Sequence, residues 1–277
     1  MGLRRGIYKS PAQLRAMVEP GLITAAALDA VRPLIVPGVT TLELDAEASR
    51  VITGRGAVSN FQMVRGYRHT ICTSVNEQVV HGIPGGRALE PGDIVSVDAG
   101  AEYRGWNGDS AITVVVPDPS RPALVAEREE LSRVTEGSLW AGIAALATAR
   151  HLGEIGAAVQ AYIDASGHGY GILRDYVGHG IGRKMHESPS VFNYRVSDPG
   201  PEVRPGLAVA IEPMVVIGDQ ETFVEDDGWT VSTLDGTAGS HWEHSVAVHD
   251  GGIWVLTAPD GGAAGLAPFG VTPSAIE

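Results

Sequence analysis

Four carboxylates stand out because the sequence around them is apolar. Asp98 ends the run Ile94-Val95-Ser96-Val97-Asp98, and Asp109 follows a loop containing Gly100, Gly105 and Gly108. Glu212 ends Val209-Ala210-Ile211-Glu212, and Glu243 opens Glu243-His244-Ser245-Val246. Closing residues 98–109 as a hairpin puts Asp98 and Asp109 on neighbouring strands, roughly 5 Å apart if they are cross-strand partners. Carboxylates that close repel unless a proton or a cation lies between them. Burying four of them uncompensated is very costly. A pair of divalent ions bridged by carboxylates is the natural compensation.

Three histidines add to this set. His179 lies in Gly178-His179-Gly180-Ile181-Gly182-Arg183, and His186 lies in Met185-His186-Glu187-Ser188-Pro189. His81 follows the β-branched stretch Val79-Val80. The glycines around His179 argue against a helix and for a backbone making tight turns. An imidazole can add neutral nitrogen to an all-carboxylate cluster. His186 could instead donate a hydrogen bond to a substrate carbonyl. The glycine spacing does not match a dinucleotide fingerprint. The lack of cysteine ligands argues against a structural zinc site.

The elements that must carry these groups come in a repeat. Pro91-Gly92-Asp93-Ile94-Val95-Ser96-Val97-Asp98 keeps step with Pro205-Gly206-Leu207-Ala208-Val209-Ala210-Ile211-Glu212. In both, Pro-Gly makes a turn and a strand ends in a carboxylate. Asp98 shares its strand face with Ser96, and Glu212 with Ala210, which leaves room beside each acid. A weaker match pairs residues 109–114 with 243–248, the longer spacing falling in a loop around Trp229. Each half then reads helix, helix and a β-hairpin carrying two acids, related by a pseudo-two-fold axis.

The remaining elements follow from local signals. Ser10-Pro11 opens a helix over 11–34, with a kink or break at Pro20-Gly21. Thr41 caps a second helix reaching Gly54. Strand texture runs through 61–83, 94–98 and 111–116. Prolines 117, 119 and 122 mark a linker before helices over 123–148 and 151–166. Strand texture returns over 175–187 and 207–249. A single domain is expected over 1–260, with halves about 10–117 and 118–256. The Gly-, Ala- and Pro-rich segment 261–277 reads as a loose tail.

Composition limits the classes. The 277 residues are 44% apolar and 19% charged, with a net charge of -13. An acidic surface repels phosphate backbones, so nucleic acid is not an expected partner. The lone Cys72 cannot form an internal disulfide, which fits a reducing compartment. No apolar run approaches the ~20 residues of a membrane span. No apolar stretch follows Met1-Gly2-Leu3-Arg4-Arg5, so no secretory leader is expected. A soluble cytoplasmic enzyme or binding protein remains.

Taken together, the motifs resemble type 1 methionine aminopeptidases over about residues 10–255. They comprise Asn76-Glu77 with His81-Gly82-Ile83-Pro84, Asp98-Ala99-Gly100, Gly108-Asp109, the His179 and His186 runs, Ile211-Glu212-Pro213-Met214 and Glu243-His244-Ser245. The resemblance implies an α/β pita-bread fold, with a central antiparallel sheet and helices on its outer face. It implies two divalent ions (Co, Mn, Fe(II) or Zn) held by Asp98, Asp109, His179, Glu212 and Glu243. Asp109 and Glu243 would bridge, Asp98 would bind one ion, and His179 with Glu212 would bind the other. His81 and His186 would contact the scissile amide, and Glu212 would relay a proton. Tyr67, Cys72, Met185 and Trp229 would line a methionine pocket, with Met185 and Val64 standing where the family usually has aromatics. Asn76 would help hold a monovalent cation. The implied substrate is the initiator methionine of nascent polypeptides, at or near the ribosome, when the second residue is small and uncharged. Met1-Gly2 of this chain would itself qualify. The family suggests a monomer. Glu212 follows His186 too closely for the helical insertion of type 2 enzymes, and no long N-terminal extension is expected.

Overall fold

The computed structural model describes residues 6–277. Met1–Arg5, which bear on the leader and on Met1-Gly2 as a substrate, lie outside the described residues. Ser10 caps α1 (Pro11–Val31) in a capping box with Gln13, and Pro11 starts the helix. Thr40, rather than Thr41, caps α2 (Thr41–Gly54), with Glu43 completing the box. Thr41 is the first helical residue, and its hydroxyl donates to the Gly85 carbonyl at 3.1 Å.

The chain continues through β1 (Val58–Ser59), β2 (Ile71–Val75), β3 (Gln78–Val80) and a long hairpin of β4 (Ile94–Tyr103) and β5 (Trp106–Val115). Next come α3 (Pro122–Leu146) and α4 (Gly153–Ala165), then β6 (Gly171–Ile172), β7 (Gly178–Gly180) and β8 (Glu187–Val191). β9 (Ala208–Ile211), β10 (Met214–Val216), β11 (Thr222–Val224) and β12 (Val231–Thr233) follow. The last elements are β13 (Gly239–His241), β14 (Glu243–His249), β15 (Gly252–Val255) and α5 (Ala263–Leu266). The main sheet is antiparallel and runs β1-β4-β5-β14-β9-β7-β8, with β2 also on β4 and β15 also on β14. No helix among the described residues is long and apolar enough to cross a membrane.

The repeat is visible in this ladder. Ser110 of β5 pairs with His244 of β14, and Ala111 pairs with Glu243. The repeat aligns Ser110 with His244, so a local two-fold axis passes between these two residues. The axis carries Asp109 onto Glu243. The ladder departs from the repeat one strand further out. Asp98 pairs with Ala111, which by the repeat would set Glu212 against Ser245. Ser245 pairs instead with Ala210. A slip of two residues keeps the same face, so Glu212 still points with Ala210 while lying just past the end of β9.

Helices cover the opposite face. A Cβ at Gly108, the neighbour of Asp109, would meet α1 at Gly21. A Cβ on Gly142 of α3 would meet Val159, Ile155 and Ile211, the last being the neighbour of Glu212. Since alternate strand residues face opposite ways, the acids point away from α1 and α3. α1 also runs through Pro20 rather than breaking there. The Thr24 hydroxyl bridges the carbonyls of Pro20, at 3.0 Å, and Gly108, at 3.2 Å, tying that turn to β5. Burial of this turn against the sheet offsets the hydrogen bond that proline forgoes.

The segment 261–277 is not a loose tail. Leu266 is fully buried, and the Ser274 amide donates to Ile253 of β15 at 3.0 Å. Asp260 accepts from the amides of Gly262 and Ala264, both at 2.9 Å, at the start of α5. Gly261 packs on the Trp254 ring and Gly265 on the Trp140 ring, where a Cβ would collide. The small residues are contact surfaces for tryptophan, not signs of looseness.

The Gly108–Gly21 contact yields a prediction. A Cβ at Gly108 would lie 2.7 Å from Gly21 Cα, between two backbones that cannot yield separately. Gly108→Ala should cost about 1–3 kcal/mol of stability in urea unfolding, the usual range for overpacking. Wild-type stability would contradict this account of how α1 meets the sheet.

Candidate active site

The structure brings Asp98, Asp109, His179, Glu212 and Glu243 together. Ligand atoms of Asp98, Asp109 and Glu243 lie within 4.8 Å of one another, as do those of His179, Glu212 and Glu243. A third such group joins Asp109, His179 and His186. The first two groups share Glu243, and the first and third share Asp109. Asp98 and Asp109 are diagonal rather than directly opposed, since Asp98 pairs with Ala111 and Asp109 with Gly100.

Hydrogen bonds to the backbone fix three of the acids. The Asp109 amide donates to Ser245 Oγ at 3.1 Å, and that hydroxyl donates back to the Asp109 carbonyl at 2.8 Å. Across the local axis, Ser110 Oγ donates to the Glu243 carbonyl at 2.6 Å. Asn193 Nδ2 donates to the Glu212 carbonyl at 3.0 Å, holding the acid past the strand end. On His179, Nδ1 faces the Gly180 carbonyl at 3.1 Å, which turns Nε2 toward Glu212 Oε1 at 3.4 Å and Asp109 Oδ2 at 3.9 Å. The flanking glycines make no tight turn; both lie in β7. A Cβ on Gly178 would strike the Ala210 carbonyl, and one on Gly180 the Ser188 carbonyl. Close packing against β9 and β8 therefore requires them.

Charge in this cluster is poorly compensated by protein. Asp98 Oδ1, Asp109 Oδ1 and Glu243 Oε1 are buried without hydrogen-bond partners. Burial raises the Asp98 carboxyl to about 7. Burial first, and neighbouring carboxylates second, hold Asp109, Glu212 and Glu243 well above the usual carboxylate range. Burial drives His179 down to about 3 and His81 to about 4, so both rings are neutral. Oxygen-rich ligands with one neutral imidazole and three orphaned oxygens fit divalent cations.

His186 is exposed, and its ring meets that of His179 edge-on at 4.4 Å. His81 adopts a left-handed φ of 62°, a conformation costing an L-residue about 1–2 kcal/mol. A Cβ on the next residue, Gly82, would collide with the Thr73 carbonyl. The His81 ring packs edge-on against Tyr176 at 5.8 Å.

A cavity of about 130 Å³ opens onto the acids and is walled by Tyr67, Cys72, Met185, Trp229, Val64 and Phe61. Cys72 is the cross-strand partner of Asp98, which puts the thiol beside that acid. Burial pushes the thiol's pKa up, so it stays protonated. The Tyr67 hydroxyl donates to the Ile71 carbonyl at 2.7 Å, and its ring packs edge-on against Trp229 at 5.1 Å. A wider cleft of about 490 Å³ shares His81, His179, His186 and Glu212 with this cavity and adds Tyr176 and Asp175. Phe61, Tyr176 and His241 were not expected from the sequence. Phe61 lies six residues before Tyr67, a spacing that could have suggested a shared wall. Nothing local marks the other two.

Asn76 also has a left-handed φ, of 61°. Its side chain donates to Asp93 Oδ1 at 2.8 Å and accepts from the Ile94 amide at 3.2 Å. The side-chain amide thus ties the turn between β2 and β3 to the start of β4.

Comparison with known proteins agrees with this geometry. The model of metallopeptidase family M24 matches residues 15–250. Methionine aminopeptidase 1 of Bacillus subtilis is 40% identical over 251 residues, spanning 91% of this chain and 98% of that protein. Methionine aminopeptidase 1 of Mycobacterium tuberculosis is 44% identical over 254 residues, spanning 90% and 94%. The crystal structure of methionine aminopeptidase from Thermotoga maritima superposes with a TM-score of 0.84 at 37% identity, covering 90% of this chain and 98% of that one. Prolidase from Pyrococcus furiosus, at 21% identity and a TM-score of 0.70, shares the fold. The pseudo-symmetric pita-bread architecture is therefore established, and the chain belongs to metallopeptidase family M24, in its methionine aminopeptidase branch, as a hydrolase of the aminopeptidase type.

Proposed function

We propose that Asp98, Asp109, His179, Glu212 and Glu243 hold two divalent ions, drawn from Mn, Fe(II), Co or Zn. On this reading the enzyme removes methionine from the N-terminus of nascent polypeptides whose second residue is small and uncharged. The observation that carries the reading is the cluster of four buried carboxylates with three orphaned oxygens. The groups Asp98, Asp109, Glu243 and His179, Glu212, Glu243 overlap at Glu243, which suits two adjacent ions, and Asp109, 3.9 Å from His179, would be the second shared ligand. Divalent ions in such a cage act as Lewis acids and supply an activated water.

The chain's own groups do the rest. Tyr67, Cys72, Met185, Trp229 and Phe61 form the apolar wall for the terminal side chain. The cavity is far smaller than a drug-sized site and is sized for one side chain. The adjoining cleft would take the following residues past His81 and His186. His81, His179, His186 and Glu212 line both spaces, so the second residue would pass directly beside them, which is the basis for assigning a small one. His186 would donate to the oxygen of the scissile carbonyl, and His81 would contact the amide or the leaving nitrogen. Glu212 would take a proton from the attacking water and return it to that nitrogen. Asn76 would help hold a monovalent cation together with nearby backbone carbonyls. Action as a monomer in the cytoplasm, close to the ribosome, completes the reading.

A metal-reconstituted sample offered Met-Ala-Ser and an X-Pro-Ala peptide should cleave only the first, and chelation should abolish the activity. Cleavage of X-Pro-Ala alone would overturn the substrate assignment. His186→Ala should lose about 10²–10³ in kcat, as for one lost oxyanion donor, with both ions still bound. Loss of an ion would instead make His186 a ligand beside Asp109 and His179.

The raised carboxyl pKa values set a pH dependence for the metal-free protein. The folded state binds more protons than the unfolded chain, whose carboxyls titrate near 4. This contribution to stability is complete below that pH and is lost as pH rises through about 7 and above. The depressed histidines act only below their ordinary value of 6.5. The melting temperature of chelated protein should fall as pH rises from about 6.5 through 7, where the histidines no longer titrate, and added Mn(II) should abolish the fall. A flat profile without metal would contradict the burial argument.

A further inference from the structure

His241, at the end of β13, is 1% exposed, and neither of its ring nitrogens has a hydrogen-bond partner. Buried polar groups are rarely left unmet, so a ring with two orphaned nitrogens requires a reason. Its backbone is held from several directions. The amide donates to Ser96 Oγ and Thr113 Oγ1, both at 3.1 Å. The carbonyl accepts from Thr113 Oγ1 at 2.7 Å, and His241 pairs with Met214 of β10. These hydroxyls lie on β4 and β5, so the ring's position is fixed by strands of the main sheet.

The ring faces one acid. His241 Nε2 lies 3.8 Å from Glu212 Oε2. On the other side of the same carboxylate, His179 Nε2 lies 3.4 Å from Oε1. Glu212 therefore sits between two imidazoles, of which only His179 also faces Asp109 and the small cavity.

We propose that His241 is a positioning residue for Glu212: its Nε2–H donates to Oε2 and keeps Oε1 turned toward His179. This rests on reading Glu212 as a metal ligand. The separation exceeds a good hydrogen bond by about 1 Å, which a small rotation of the glutamate closes. Carboxylates that bind metals are generally hydrogen-bonded in turn, and that partner fixes which oxygen is presented.

The test is calorimetric titration of metal-free protein with Mn(II), together with kcat and KM on Met-Ala-Ser. His241→Phe fills the space without a donor and should weaken Mn(II) binding and lower kcat by about 10- to 100-fold. KM should change by less than about threefold, because the methionine pocket is untouched. His241→Gln restores an N–H donor and should return both quantities to within about threefold of wild type. Wild-type behaviour of His241→Phe, or a His241→Gln as impaired as His241→Phe, overturns the proposal. Should His241→Phe fail to fold by circular dichroism, His241→Leu makes the same comparison. Glu212→Gln is the control for the underlying reading. Undiminished Mn(II) binding there removes Glu212 as a ligand, a result distinct from wild-type behaviour of the His241 variants.

Discussion

Mutual repulsion among Asp98, Asp109, Glu212 and Glu243 is the constraint the rest of the molecule must meet. All four are buried, and their oxygens crowd within a few ångströms. In a low-dielectric interior such charges can persist only with protons or cations between them. The backbone must therefore be stiff enough to hold the acids together when electrostatics pushes them apart. Paired strands supply that stiffness, and the Ser110 and Ser245 hydroxyls lock the backbone of Glu243 and Asp109 at the short β5–β14 ladder. α1 and α3 seal the opposite face, and glycines at 21, 108 and 142 let them approach closely.

Two-fold symmetry builds the cluster, and departures from it build the rest of the site. Asp109 and Glu243 are symmetry mates about the Ser110–His244 pair. Asp98 and Glu212 are not, because the outer ladder of the second half has slipped by two residues and Glu212 lies past the strand end. That position puts its two oxygens between His179 and His241. The extra chain between β9 and β14 forms β10 to β13, which brings Trp229 to the cavity and His241 behind Glu212. The pocket draws on both halves: Phe61, Tyr67 and Cys72 come from early in the chain, and Met185 and Trp229 from late in it.

The three histidines differ in exposure and in what holds them. His179 is buried, kept neutral and aimed by the Gly180 carbonyl. His186 is exposed and lines the wider cleft. His81 is held by a left-handed backbone between β3 and a closely approached Gly82, so the chain sets the direction of its Cα–Cβ bond.

What the sequence determined by itself was local. Pro-Gly turns, alternating apolar residues, capping residues and an acid closing each strand are short-range patterns, and they located the repeat, the four acids and most helices. Family motifs extended this to His81, His186 and the pocket residues Tyr67, Cys72, Met185 and Trp229. Tertiary structure decided the rest, because it depends on contacts between distant segments. Pro20 does not break α1, because burial on β5 and the Thr24 hydroxyl offset the lost hydrogen bond. Glycines at 178 and 180 serve close packing rather than turns, and those at 261 and 265 seat tryptophan rings. The diagonal placement of Asp98 and Asp109, and the imidazole of His241 behind Glu212, arise from strand register and from β13 packing on β4 and β5. Register is a relation between strands, and no single stretch of sequence contains it.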